Sequence, residues 1–216
     1  MKTSFIVIIS VLTLNYAQAQ LVKSIDIEWA EPIKSEFYEI KLPKTIKVQT
    51  AQNQIIIFEK EGEHINSWKF NYQGKKGIIR TITPDYKSWK FTSSGREITA
   101  YSTMPQFDDW AGLIGWKIIT QKDSSLLQGS DMDCLGTFNL LSKWIPINEE
   151  NMFGVSAEYP KEIISMQFTA NGNDCVSSKW SVTDNAKLND FEAKLLICFV
   201  SVIALPVREL IRFESY

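Results

Sequence analysis

The sequence predicts a mainly β domain, with about a dozen short antiparallel strands and one buried, hydrophobic C-terminal helix. Three observations predict it. Between Leu21 and Thr183, apolar and polar residues alternate in short segments separated by turn residues. From Leu195 to Val207 the chain is apolar on every face. Acidic residues suited to a helix start precede that run, and Pro206 interrupts it.

The first apolar stretch has a separate explanation. Met1 to Ser4 is a short basic start, Phe5 to Leu14 an apolar run, and Ala17-Gln18-Ala19 a small-x-small cleavage site. That order is a secretory signal peptide. Residues 1–19 are therefore expected to be cleaved, leaving residues 20–216 as a single exported domain, periplasmic or extracellular. The run is too short to span a bilayer comfortably.

Strands follow in order. Ile25 to Trp29, Tyr38 to Leu42 and Thr45 to Val48 alternate, and Gln54 to Phe58 is more continuously apolar. Ile65–Phe70, Gly77–Ile82, Ser88–Phe91 and Glu97–Tyr101 come next. Later candidates are Trp116–Thr120, Ser125–Gln128, Gly136–Leu140, Met152–Ala157, Ile163–Thr169 and Lys179–Val182. Turn signals separate many of them: Glu61-Gly62, Gln73-Gly74, Ser94-Gly95 and Asn171 to Asp174. So many antiparallel strands close into a barrel or split into a sandwich, because open edges invite aggregation. Pro105 to Ile114 is a second, weaker helical signal. The echo Ser67-Trp68-Lys69-Phe70 and Ser88-Trp89-Lys90-Phe91 reads as core-facing aromatics with an outward lysine.

Asn189 is placed to cap the C-terminal helix, with Glu192 as the capping-box carboxylate. Asp190 and Glu192 also set negative charge against the positive end of the helix dipole. Pro206 should end the helix at or before Leu205, giving a helix over about residues 190–205. Its uncharged part is about 13 residues, roughly 20 Å, against a bilayer core of about 30 Å. Snorkelling by Lys194 and Arg208 would stretch that reach, so a C-terminally anchored surface protein stands as an alternative. A helix apolar all round that does not span a membrane must be surrounded by protein.

The formal net charge is −2, and no basic excess points to nucleic acid. Cys198 lies within the apolar run and reads as an inert core thiol. Cys134 and Cys175 fall in turn-rich segments, where an exported location permits a disulfide; two unpaired thiols are the alternative. No Cys/His spacing suggests a metal and no fingerprint calls for a cofactor.

The order of elements, with the helix introduced by Lys179 to Val182 and Leu188 to Glu192, resembles the tubby C-terminal-like superfamily. That superfamily includes LURP-one-related proteins and phospholipid scramblases. The resemblance covers nearly all of residues 20–216 and rests on layout, not on a diagnostic motif. It implies an antiparallel closed β-barrel of about a dozen strands around a buried C-terminal hydrophobic helix. It also implies lipid or another amphiphile as a partner. The family's basic lipid-binding residues do not map onto positions here, and its known membrane roles are mostly cytosolic, unlike an exported chain.

Chemistry-bearing motifs are sparse. The single His64 sits on a turn, and no nucleophile motif accompanies it. Asp108, Asp109 and Trp110 form the best acidic–aromatic cluster, suited to sugar stacking or glycoside chemistry, although a helix start explains the acids equally. Lys75 and Lys76, between Gly74 and Gly77 with Arg80 close behind, form the best anion-binding candidate. The expectation is an exported, non-enzymatic binding or scaffold module contacting lipid or another amphiphile. A secreted carbohydrate-binding or carbohydrate-active protein is the second reading.

Overall fold

The computed structural model describes residues 20–34, 39–40, 42–62, 64–83, 88–102, 115–119, 124–129, 138–146, 164–170 and 178–214. Among these, the chain forms β1 (Val22–Trp29), β2 (Ile33–Lys34), β3 (Glu39–Ile40), β4 (Pro43–Thr50) and β5 (Ile55–Lys60). Next come β6 (Ser67–Tyr72), β7 (Lys75–Thr81), β8 (Ser88–Ser93) and β9 (Arg96–Ser102). The remaining elements are β10 (Gly115–Ile119), β11 (Ser124–Gly129), β12 (Phe138–Pro146), β13 (Ile164–Ala170), β14 (Lys179–Asp184) and the helix α1 (Phe191–Glu214). The class is mainly β, with an antiparallel sheet and a C-terminal helix.

Each strand from β4 to β14 pairs antiparallel with the next in sequence. The first strand pairs with both β4 and β14, through Ile25↔Val48 and Ile25↔Trp180 among others. Among the described residues β2 and β3 pair only with each other. Two hairpin turns use positive backbone angles at both central residues: Gln73 (φ 48) with Gly74 (φ 75), and Ser94 (φ 49) with Gly95 (φ 78). That turn geometry matches the strand twist. Alternation then assigns the faces. Trp68, Phe70, Trp89 and Phe91 are buried while Lys69 is exposed, as the repeated Trp-Lys-Phe pattern predicts.

The inner face packs on α1. Leu195, Leu196, Ile197, Cys198, Phe199 and Val200 are each 0% exposed, so the helix has no solvent side over this stretch. Phe199 sits among Phe58, Trp68 and Trp89, with ring centroids at 5.8, 5.4 and 5.1 Å. Phe70 stacks on Phe91 at 4.7 Å and covers Gly77, its cross-strand partner. A side chain at position 77 would overlap that ring.

Two expectations for the helix are corrected. Asp190, not Asn189, is the cap: its Oδ1 accepts the Ala193 amide at 3.1 Å and its carbonyl accepts the Lys194 amide at 3.0 Å. Asp190 wins because its carboxylate also meets Arg96, which Asn189 does not offer. The helix also continues through Pro206 to Glu214 instead of stopping at Leu205. A proline removes one intrahelical hydrogen bond, here the donor for the Val202 carbonyl, but its fixed φ remains helical. Among the described residues no helix is long and apolar enough to cross a membrane. Of the stretch that the anchor alternative would expose to lipid, Leu195 to Ile203 is buried in the protein. Cys134, Cys175, the Met152–Ala157 strand candidate and the 105–114 helical signal lie outside the described residues.

Candidate functional site

Polar groups converge where α1 meets the sheet. Turns 73–74 and 94–95 connect alternate strand pairs and so lie on one rim, and α1 begins there. Arg96, just past the second turn, grips the helix start. Its guanidinium takes Asp190 in a two-pronged contact, one prong at 2.9 Å, and reaches Glu192 Oε2 at 3.1 Å. The Asp190 hydrogen bonds hold the guanidinium's pKa above its ordinary value, against the opposing effect of burial. Deeper in, Lys194 Nζ donates to Asp184 Oδ2 at 2.6 Å, and both side chains are 1% exposed. Asp184 also accepts the Val22 amide at 3.1 Å and the Ala186 amide at 3.0 Å.

That buried pair is anchored on every side. Lys194 Nζ also donates to the Gln20 carbonyl at 3.2 Å. The Tyr72 hydroxyl donates to Gln20 Oε1, and its ring lies 4.7 Å from Phe191. Burial, and then the Glu192 charge, push the Tyr72 phenol above its ordinary value. Cys198, one turn along α1, is pushed far up by burial and by the Asp184 charge, so its thiol stays protonated.

The predicted anion site divides in two. Lys75 and Lys76 are exposed at the start of β7, beside the 73–74 turn. Arg80 does not join them. It lies five residues along β7, about 16 Å away at 3.3 Å per residue. There its Nε donates to Ser67 Oγ at 3.2 Å and its Nη2 stands 3.9 Å from Glu61. Lys69 and then Ser67 hydrogen-bond that same carboxylate and hold Glu61 below the usual range. Arg80 is therefore committed to a surface ion cluster. Asp108, Asp109 and Trp110 lie outside the described residues. His64 is exposed, as a turn histidine should be.

The sequence reading missed what stands beside Lys76. On the outer face, the register aligns Lys47 with Ile57, Ile57 with Asn71, and Asn71 with Lys76. Ile55 is 57% exposed and Ile57 38%. Two isoleucines thus stand in solvent between two lysines. Lys47 and Lys76 are three strand spacings apart, about 14 Å at 4.8 Å per strand. The nearest acids on this face are Asp26, opposite Lys47, and Glu59, two residues along β5. The apolar run from Ile55 to Phe58 was legible, but its two outward positions show only once β5 is assigned its faces.

Among the described residues, no cluster of His, Cys, Asp and Glu is arranged to hold a metal ion. Comparison with protein-family models, curated proteins and solved structures found no match.

Proposed function

We propose that this chain is an exported, non-enzymatic binding or scaffold module whose strands close as a β-barrel around their own helix. Its outer wall contacts the surface of anionic lipid through Ile55 and Ile57, with Lys47, Lys75 and Lys76 supplying charge. The pairing of β1 with both β4 and β14 supports closure. The basic start, apolar run and Ala17-Gln18-Ala19 site support export. The layout of strands first and apolar helix last supports kinship with the tubby C-terminal-like superfamily, on architecture alone.

One observation carries the binding site: exposed isoleucines flanked by lysines on the same face. Partial insertion of the isoleucines releases water from apolar surface. Each lysine near an anionic surface contributes about 1 kcal/mol, screened by salt. Because α1 fills the interior, the contact is peripheral and needs no cavity. Vesicle flotation tests it, using phosphatidylcholine with and without phosphatidylserine. Lys75→Glu with Lys76→Glu should abolish flotation with the anionic vesicles, and unchanged flotation would refute the site.

A further inference from the structure

We propose, resting on the lipid-binding reading above, that the protein meets an anionic bilayer end-on, at one rim of the β4–β7 wall. The 51–54 turn leads, Ile55 enters deepest and Ile57 sits shallower. The opposite end of the same strands stays in water.

Strand direction fixes which end leads. The β4–β5, β6–β7 and β8–β9 connections alternate with those of the other end, so the 51–54, 73–74 and 94–95 turns share a rim. Ile55 is the first residue of β5 after its turn, and Ile57 is the third. Exposure falls in the same order, 57% and then 38%. The turn itself presents Ala51, Gln52 and Asn53 to solvent. Its backbone is tied down at both ends. The Thr50 amide donates to the Gln54 carbonyl and the Asn53 amide to the Thr50 carbonyl, each at 2.9 Å. The Gln54 amide donates to Thr50 Oγ1 at 3.1 Å, and the Ala51 amide to the Leu21 carbonyl at 2.8 Å. A turn already ordered this way presents Ile55 with little further entropy to lose on binding.

Charge is graded along the same strands. Lys47 and Lys76 stand level with Ile57 across the register, and Lys75 adjoins the 73–74 turn. Lys23 is exposed at the start of β1, and Asp26 stands opposite Lys47. Other acids described near this rim are already met: Asp184 by Lys194, Asp190 and Glu192 by Arg96, and Glu97 by Lys90. Past Ile57 the wall becomes mixed. Glu28 and Glu59 flank Thr45 in register, and Glu61 lies just beyond β5. Lys44 there is engaged by Glu28, and Lys69 and Arg80 by Glu61. Six residues separate Ile55 from Glu61, about 20 Å along an extended strand. That is about twice the Debye length at 0.1 M salt. A bilayer at the rim therefore feels the lysines and is screened from Glu61. A bilayer lying along the wall would meet Glu28, Glu59 and Glu61 together.

Depth-sensitive labelling of residues 20–216 tests the orientation, with Cys134→Ser and Cys175→Ser in the background and the buried Cys198 left in place. Gln52→Cys, in the leading turn, and His64→Cys, exposed past the far end of β5, each carry an environment-sensitive fluorophore. On vesicles containing phosphatidylserine, the label at position 52 should shift to the blue and be quenched by nitroxide lipids, while the label at 64 stays unchanged. In the unlabelled chain, Ile55→Ser should weaken vesicle binding about tenfold, and Ile57→Ser by less. Glu59→Gln should leave binding within about threefold. A gain beyond that is what a wall lying flat on lipid would give. Equal shifts at the two labels, a larger loss from Ile57→Ser, or that gain from Glu59→Gln would each overturn the end-on contact. Flotation of the unlabelled chain separates the two claims. Its absence sinks lipid binding itself, whereas flotation with any of those patterns sinks the orientation alone.

Discussion

Phe199→Ala should be among the most damaging single substitutions in this chain. The ring is fully buried and touches three other aromatic rings, at 5.1 to 5.8 Å between centroids. Truncating a buried phenylalanine costs about 3–5 kcal/mol through lost transfer energy and the cavity left behind. Each aromatic pair contributes about 0.5–1.5 kcal/mol beyond its area, so a loss near the top of that range, about 4–5 kcal/mol, is expected. Domains of this size shift by about 2–4 °C per kcal/mol, which puts the melting temperature about 8–20 °C lower. Urea unfolding followed by tryptophan emission measures it, and Trp68 and Trp89 report directly because both contact the missing ring. Thr92→Ala, on the exposed outer face, serves as the control. A cost for Phe199→Ala below about 1 kcal/mol is what a surface position would give. That result would refute the placement of α1 inside the sheet.

Three further outcomes are expected. Gly77→Ala should cost about 1–3 kcal/mol by overpacking, since the new methyl would overlap the Phe70 ring; Phe70→Leu in the same chain should recover part of the loss in chemical denaturation. Pro206→Ala should raise stability by up to about 3 kcal/mol, because alanine restores the donor to the Val202 carbonyl within a helix that already runs through the site; unchanged melting would refute the cost assigned to the missing hydrogen bond. The Tyr72 phenol titrates above its ordinary value of 10.0 when folded. The proton is held more tightly in the folded state, so this contribution is complete below pH 10 and fades as pH rises through the raised value. Phenolate absorbance with and without Tyr72→Phe should show that the substitution removes one phenol titrating above the ordinary value, and an unchanged curve in that range would refute it.

The strand pattern was legible because burial on one face leaves a period of two, and the Trp-Lys-Phe segments show it plainly in Trp68 and Trp89. The buried helix was legible because a run with no polar face has few places to go. Its ends were less so. Asn189 and Asp190 are both good caps by residue type, and only the distant Arg96 decides between them. Pro206 stops helices in isolation, yet this helix runs on through it to Glu214, since proline's fixed φ is helical and only one hydrogen bond is lost. Of the candidate site, the exposed turn position of Lys75 and Lys76 was legible, whereas Arg80 was grouped with them by proximity in sequence. Extension at about 3.3 Å per residue separates what the sequence sets close together. The pair Lys194–Asp184 spans only ten residues, but its meaning depends on the Gln20 carbonyl from the far end of the chain.

The helix against which Phe58, Trp68 and Trp89 pack follows all the described strands in sequence. During synthesis the strands therefore emerge before the element that covers their greasy side. Until α1 arrives, Trp68, Trp89 and Phe58 have no permanent neighbour at the centre, and the half-made sheet resembles the exposed intermediates on which chaperones act. A stop codon anywhere upstream of Phe191 would not trim the protein. It would leave a sheet whose apolar face has nothing to cover it, and such a product should be found among aggregates or protease fragments instead of as a shortened native fold.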